Sequence, residues 1–269
     1  MKGGAHPPNG ALRHRHRPWP GCRRCCGIAL DMGSARTRAW ISVTGTVVDV
    51  PTVTSSAAGA TRPVRHGAIV DTAGSARMLG SHLGHRLPDL TRPLVIVTAP
   101  VLDGAAYRTR ARSAVDVLRP RGVLTVPSAR AVALAADADL SRPLLVVDLG
   151  AHLTEAVLLC DGAVTDARCT ALGTGDPDGT TSAGHLAGAV SSMLTAMLRQ
   201  DSTSLTASAL HRGVLLAGGG ALRADVTHHL ARRLRAPLHV VPAPHTAAVR
   251  GAAKLLRAAH THPSASGPI

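Results

Sequence analysis

Ile28-Ala-Leu-Asp31-Met-Gly33 and Leu145-Val-Val-Asp148-Leu-Gly150 share one form: an apolar run that reads as a buried strand, an aspartate at its end, one residue, and a glycine. Each leads into a second strand-like run, Ala35–Val43 after the first and Thr154–Cys160 after the second, so each reads as a β-hairpin with a tight turn. A hairpin used twice predicts two related halves that face each other. A third stretch, Val214-Leu-Leu-Ala-Gly218-Gly219-Gly220-Ala221-Leu222, is a strand that passes through three glycines into a helix.

These three stretches have a chemistry in common. An aspartate at the end of a buried strand, followed by glycine, sets a carboxylate beside turn amides that can point at a phosphate; the carboxylate can hold Mg²⁺ through water while the amides hold phosphate oxygens. One such turn is usually only a hairpin, whereas a facing pair makes a clamp. The three glycines leave backbone bare where a ligand could approach a helix N-terminus, although a plain strand-to-helix joint also accounts for one or two of them.

Outward from these turns, short apolar runs alternate with helix-like segments, the pattern of α/β layers. Further strands are expected at Thr46–Val50, Leu94–Thr98, Val123–Val126 and Leu238–Val241. Leu186, Val190, Met193, Leu194, Met197 and Leu198 fall on one helical face, as do Leu222, Val226, Leu230 and Leu234. Both stripes read as core faces.

The chain has 269 residues, 45% apolar and 17% charged, which suits a folded protein with one large core or two modest ones. It contains no Phe, one Tyr and two Trp, so base stacking on aromatic rings is poorly supplied and nucleic acid is not an expected partner. The formal charge of +14 would point to an anionic partner, yet only Lys2 and Lys254 of the 30 basic residues are lysines, a bias that a GC-rich coding sequence also produces. Lys2, Arg13, Arg15, Arg17, Arg23 and Arg24 all precede the first acidic residue, Asp31.

Residues 1–26 therefore read as a disordered basic arm, followed by a first half at 27–140, a second half at 141–260 and a disordered tail at 261–269. No run is apolar enough to span a membrane and the leader lacks the apolar stretch of a secretory signal, so the expected location is cytoplasmic, with membrane association through the arm as an extension. Five cysteines without an export signal argue against structural disulfides. Cys22-x-x-Cys25 with His14 and His16 has no second pair at zinc spacing and reads more simply as part of the arm.

The ordered set of motifs resembles the phosphate-1, phosphate-2 and adenosine motifs of the actin-like ATPases, most closely the bacterial MreB and Mbl cell-shape proteins. The resemblance runs from about Gly27 to about Ala259 and includes Arg62-Pro-Val-Arg-His-Gly-Ala-Ile-Val-Asp71, Leu94-Val-Ile-Val-Thr-Ala-Pro100, His211-Arg-Gly-Val-Leu-Leu-Ala-Gly-Gly-Gly-Ala-Leu222 and Pro244-His-Thr-Ala-Ala-Val-Arg-Gly251. It implies an α/β fold of duplicated ribonuclease-H-like halves and ATP or ADP as ligand. Gly33, Ser34, Ala35, Arg36, Gly150, Ala151, Thr154, Gly218, Gly219, Gly220 and Ala221 would line the nucleotide, and Asp31 and Asp148 would hold Mg²⁺ through water.

The departures from that family are specific. Its second phosphate loop reads Asp-x-Gly-Gly-Gly-Thr-Thr, where this chain has Asp148-Leu-Gly150-Ala151-His152-Leu153-Thr154; two Cβ atoms and a lost hydroxyl should weaken the phosphate grip. The family's hydrolytic carboxylate falls in Val126-Pro127-Ser128-Ala129-Arg130, which has none, so no catalytic residue is assigned. Arg36 is a bulky occupant of the first loop whose cation could instead meet a phosphate. Too few residues remain, Ser42 to Arg62 and Gly173 to His211, for the family's two small upper subdomains.

The expected function is thus that of a degenerate MreB/Mbl-like cytoskeletal protein acting by self-assembly, with a full-length relative, or with the cell-wall synthesis machinery. Two alternatives stand beside it. One is a small ATPase or sugar-kinase-like enzyme using Asp71, Asp103 or Asp137; the other is a binder of anionic membrane surface through the arm, for which Trp19 is the only large anchor.

Overall fold

The computed structural model describes Trp19 and residues 25–56, 59–88, 91–102, 104–175 and 181–262. The first half begins with β1 (Gly27–Met32), β2 (Arg36–Ile41) and β3 (Thr46–Pro51), an antiparallel run in register Asp31↔Arg38 and Arg38↔Asp49. Two small ribbons follow, β4 (Thr54–Ser56) with β5 (Gly59–Thr61) and β6 (Val64–Arg65) with β7 (Ala68–Ile69). Then come helix α1 (Thr72–Leu83), β8 (Leu94–Ala99), α2 (Gly104–Val115), β9 (Gly122–Pro127) and α3 (Ser128–Ala135).

The second half repeats the plan: β10 (Leu144–Leu149), β11 (Thr154–Cys160), β12 (Ala163–Thr170), α4 (Ala183–Gln200), α5 (Leu205–Arg212), β13 (Val214–Ala217), α6 (Ala224–Leu234), β14 (Leu238–Val240) and α7 (Ala247–Thr261). The sheets have equivalent orders, β3-β2-β1-β8-β9 and β12-β11-β10-β13-β14, with the first three strands antiparallel and the rest parallel. The central strands are buried on both faces, which is why β1 and β10 are continuous apolar runs that end at the one polar residue emerging from the sheet, Asp31 or Asp148.

Each half buries an outer core under its own helices. Leu30, Val95 and Val97 meet Met78, Leu79, Tyr107 and Ala111 from α1 and α2, while Leu145, Val147 and Leu216 meet Leu186, Val190, Met197, Val226 and Leu230 from α4 and α6. Each large side chain removed from water here stabilises the fold by roughly 1.5–3 kcal/mol. Two expected core leucines lie outside: Leu222 precedes α6 and is 60% exposed, and Leu198 faces solvent at 40%.

Between the sheets the helices cross. Ala129, Val132 and Ala133 of α3 pack on Leu144, Val146, Val157 and Leu215 of the second sheet, whereas Val249, Ala252 and Leu256 of α7 pack on Ala29, Trp40 and Ile96 of the first. Residue 140 therefore separates the two sheets but not the two cores. The crossing is close: a Cβ at Gly251 of α7 would stand 1.7 Å from the Ala131 carbonyl oxygen.

Trp19 falls in the stretch expected to be an arm, yet it is buried. Its ring stacks on His260 of α7 at a centroid distance of 3.8 Å, and its Nε1–H donates to the Cys25 carbonyl at 3.0 Å. Of the Cys22-x-x-Cys25, His14 and His16 set, which the sequence does not favour as a zinc site, only Cys25 lies among the described residues. No disulfide occurs among the described residues, and no helix there is long and apolar enough to cross a membrane.

Candidate functional site

Both Asp-x-Gly turns open onto one cavity of about 360 Å³ between the halves. The same bond closes each turn: Gly33 N–H donates to the Arg36 carbonyl at 3.0 Å, and Gly150 N–H donates to the Leu153 carbonyl at 2.9 Å. A Cβ at Gly33 or Gly150 would lie 3.0 or 2.6 Å from that oxygen, so glycine is what lets the strand end turn so tightly.

The three-glycine joint forms the wall beside the second turn, and its members do different things. Gly218 has φ 83°, and a Cβ there would fall 2.3 Å from Asp148 Oδ1 and 2.4 Å from the Leu149 carbonyl. Gly220 is pressed against the Leu149 side chain, where a Cβ would come within 2.8 Å. Gly219 meets nothing within 4 Å and presents open backbone to the cavity.

Of the residues expected to line a nucleotide, Gly33, Ser34, Ala35, Arg36, Gly150, Ala151, Gly218 and Gly219 line this cavity together with Asp31 and Asp148. Gly220 and Ala221 are buried behind the wall, with Ala221 in the outer core of the second half. Thr154 is fully buried, and its hydroxyl donates to the Leu172 carbonyl at 2.9 Å rather than to the cavity. His152, expected to crowd the second loop, has its Nε2 3.1 Å from the Gly175 carbonyl, which anchors the ring in its own half.

Where a hydrolytic carboxylate was sought, the cavity is lined by Ser128 and Val132 of α3. The spare carboxylates do not fill that gap. Asp71 caps α1 by accepting from Gly74 N at 2.7 Å, and Asp137 pairs with Lys254 at 2.6 Å. Asp103 lies outside the described residues.

Among the carboxylate and guanidinium groups of the cavity, two escaped the sequence reading. Arg38 opposes Asp31 across the first hairpin, and Glu155 opposes Asp148 across the second, at the same offset in each half. Glu155 is 5% exposed, and one of its oxygens accepts the Val101 N–H of the first half at 3.0 Å, which ties the halves across the cleft. Burial is the main reason its carboxyl is pushed up to about 7; the Val101 bond pulls down and the Asp148 charge pushes up.

Asp148 is likewise raised to about 7, by burial first and the Asp31 charge second, against the pull of Arg38. Asp31 is raised by burial, opposed by the Thr98 hydroxyl that donates to it at 2.8 Å and by Arg38. Arg38 itself pairs with Asp49, Nε to Oδ2 at 3.2 Å, and the same carboxylate binds Arg36 Nε at 2.6 Å. Asp49 on β3 thus holds two guanidinium groups at the cavity. On the opposite wall, the Nδ1 of His245 is buried without a hydrogen-bond partner among the described residues. Above the turns, His66 at φ 47° reaches across the cleft, its Nδ1 2.9 Å from the His152 carbonyl.

Among the described residues no group of three or more acidic, histidine or cysteine side chains forms a metal site. The donors that face one another are two carboxylates, and a fixed guanidinium already acts on both. This donor set does not suit a divalent cation, which is most stable where carboxylate charge is uncompensated.

The family model described as MreB/Mbl protein matches residues 183–264. No curated protein matches the chain. Among solved structures, MreB5 of Spiroplasma citri bound to ADP is similar with a TM-score of 0.74 at 13% identity, covering 87% of this chain and 98% of that one. The MamK double helical filament is similar at TM-score 0.69 and 15% identity, covering 86% and 98%. The ethanolamine utilization protein EutJ from Carboxydothermus hydrogenoformans follows at 0.61 and 15%, covering 90% and 93%. The sheet orders, the two hairpin turns and these likenesses agree: the chain has the actin-like ATPase fold, with only two short ribbons between β3 and α1 and two helices between β12 and β13.

Proposed function

We propose that this chain is a nucleotide-binding, MreB-like cytoskeletal protein that assembles with itself or with a full-length relative and hydrolyses ATP slowly or not at all. The observation that carries the reading is the convergence of Asp31-x-Gly33, Asp148-x-Gly150 and bare Gly219 on one cavity. Two glycine turns that line one cavity are suited to phosphate oxygens, and the Gly219 backbone leaves room for a ribose or base. Nucleotide is further supported by the MreB5 relatives, described bound to ADP and to AMPPNP, and self-assembly by the filament described for MamK.

Slow hydrolysis follows from Ser128 and Val132 standing where a water-positioning carboxylate is needed, since neither can take a proton from an attacking water. Association with cell-wall machinery, a cytoplasmic location and contact of the basic arm with anionic membrane belong to the same reading. Titration calorimetry with ADP and ATP tests it: saturable binding at one site per chain is expected, and no heat with either nucleotide would end the reading. Filaments seen by electron microscopy on adding nucleotide would support self-assembly.

One observation favours a second reading, an active ATPase. Glu155 lines the cavity with its proton affinity near neutral, as a general base requires. Phosphate release that disappears in Glu155→Gln while ADP binding persists would establish it.

A further inference from the structure

We infer that the cleft binds its nucleotide phosphates without a divalent cation, because the guanidinium of Arg38, held by Asp49, takes the place of the metal between the two aspartate turns. The inference rests on the nucleotide reading of the same cavity and says how its phosphate charge is met.

Three observations carry it. The first is placement: Arg38 lines the cavity with a side chain only 13% exposed, in the cross-strand position of Asp31. A cation so placed shares the lining of the cavity with both aspartates. The second is reach: Arg38 draws down the proton affinity of Asp31 and of Asp148, so its charge acts on both halves, although it forms an ion pair with neither. A divalent cation at the same aspartates would meet that charge as repulsion.

The third is orientation. Asp49 takes the Nε of Arg38 and the Nε of Arg36, and the Nη groups of Arg38 have no hydrogen-bond partner among the described residues. Arginine used through Nε alone keeps its planar Nη fork for a second acceptor, and phosphate matches that fork with two parallel hydrogen bonds. Arg62, whose Nη1 donates to the Ser34 carbonyl at 3.3 Å, adds a third cation beside the first turn. The duplicated position in the other half is an acid, Glu155, so the cation is a feature of one hairpin and not of the repeated scaffold.

The structure also says why Asp49 matters. Arg36 and Arg38 lie on neighbouring same-face positions of β2, where like charges repel, and Asp49 of β3 opposes Arg38 directly. Its carboxylate holds both groups in place before any ligand arrives, which reduces the ordering cost of binding.

The experiment is calorimetric titration of the full chain with ADP, once in excess EDTA and once in excess Mg²⁺, repeated for Arg38→Leu and Arg38→Lys. Wild-type protein should bind ADP in EDTA within about threefold of its affinity in Mg²⁺, and Arg38→Leu should weaken binding in EDTA by about tenfold or more, with Mg²⁺ restoring part of the loss and Arg38→Lys retaining most of the affinity. Wild-type binding that weakens tenfold or more in EDTA would overturn the inference and leave the nucleotide reading intact. No binding in either buffer would overturn both. Equal binding in both buffers with Arg38→Leu unaffected would also overturn it, since the charge would then come from elsewhere. If Arg38→Leu does not fold by circular dichroism, Arg38→Gln takes its place in the same pair of titrations, with the same loss of about tenfold in EDTA expected.

Discussion

The two hairpin turns are built alike and charged differently. In each, a glycine amide closes the turn onto the carbonyl of the residue three further on, an aspartate leaves the central strand, and the residue paired with it across the hairpin faces the same cavity. In the first half that partner is Arg38; in the second it is Glu155. The neighbouring parallel strand also differs, supplying the Thr98 hydroxyl to Asp31 but pressing the bare backbone of Gly218 against Asp148. A duplicated scaffold thus fixes where side chains enter the cleft while leaving their charge free to diverge. The second half is the more acidic wall, and the first is the more cationic one.

The largest effect should come from the packing side of this contrast. Gly218→Ala places a Cβ on Asp148 Oδ1 at a positive φ and should cost about 2–4 kcal/mol in urea unfolding, whereas Gly219→Ala, which meets nothing, should change stability by less than about 0.5 kcal/mol. Equal losses at the two glycines would mean that the joint does not buttress the second turn as described.

Next comes the acid of the second half. Asp148 and Glu155 keep their protons to about pH 7 when folded but only to the ordinary carboxylate range when unfolded. The folded state therefore binds more protons between about pH 4 and 7, so stability is greatest below that window and is lost as pH rises through it. Glu155→Gln should flatten part of this slope and raise stability at pH 8 by about 1–3 kcal/mol. Urea unfolding of both proteins at pH 5 and pH 8 is the check, and an unchanged slope would contradict the account of Glu155.

The smallest effect is expected where the first half's neighbouring parallel strand supports its aspartate. Thr98→Val removes the hydroxyl that donates to Asp31 and keeps the side-chain volume, so it should cost about 1 kcal/mol and move the Asp31 carboxyl further up. A loss as large as that of Gly218→Ala would show that the two walls are supported in the same way after all.

The same contrast explains what could be read from the chain alone. β1, β10, β11 and β13 are central strands with continuous apolar runs, and β10, β11 and β13 begin and end where their composition says they should. β12 was not visible: Ala-Val-Thr-Asp-Ala-Arg-Cys-Thr is an edge strand whose only fully buried side chain is Ala167, so its alternation carries almost no apolar signal. Trp19 was read as part of an arm because nothing near it is periodic; its partners, Trp40 and His260, are distant in sequence.

The cavity itself was legible from its turns, since an Asp-x-Gly ending that occurs twice, with a three-glycine joint beside the second, is more than a hairpin alone requires. Its charged floor was not, because Arg38 and Glu155 sit inside strands where a lone charge looks like a solvated position. A signal existed nonetheless. Once the hairpins are superposed, the residue opposite each aspartate must share its face, and that places Arg38 and Glu155 in the cleft from register alone.

The central claim is that the two turns act together on one ligand. Amide hydrogen exchange of the full chain with and without ADP measures this most directly. The account predicts that Gly33–Arg36, Gly150–Leu153 and Gly219 gain protection together at the same nucleotide concentration. Protection of one turn with the other unchanged, or of neither, would contradict it.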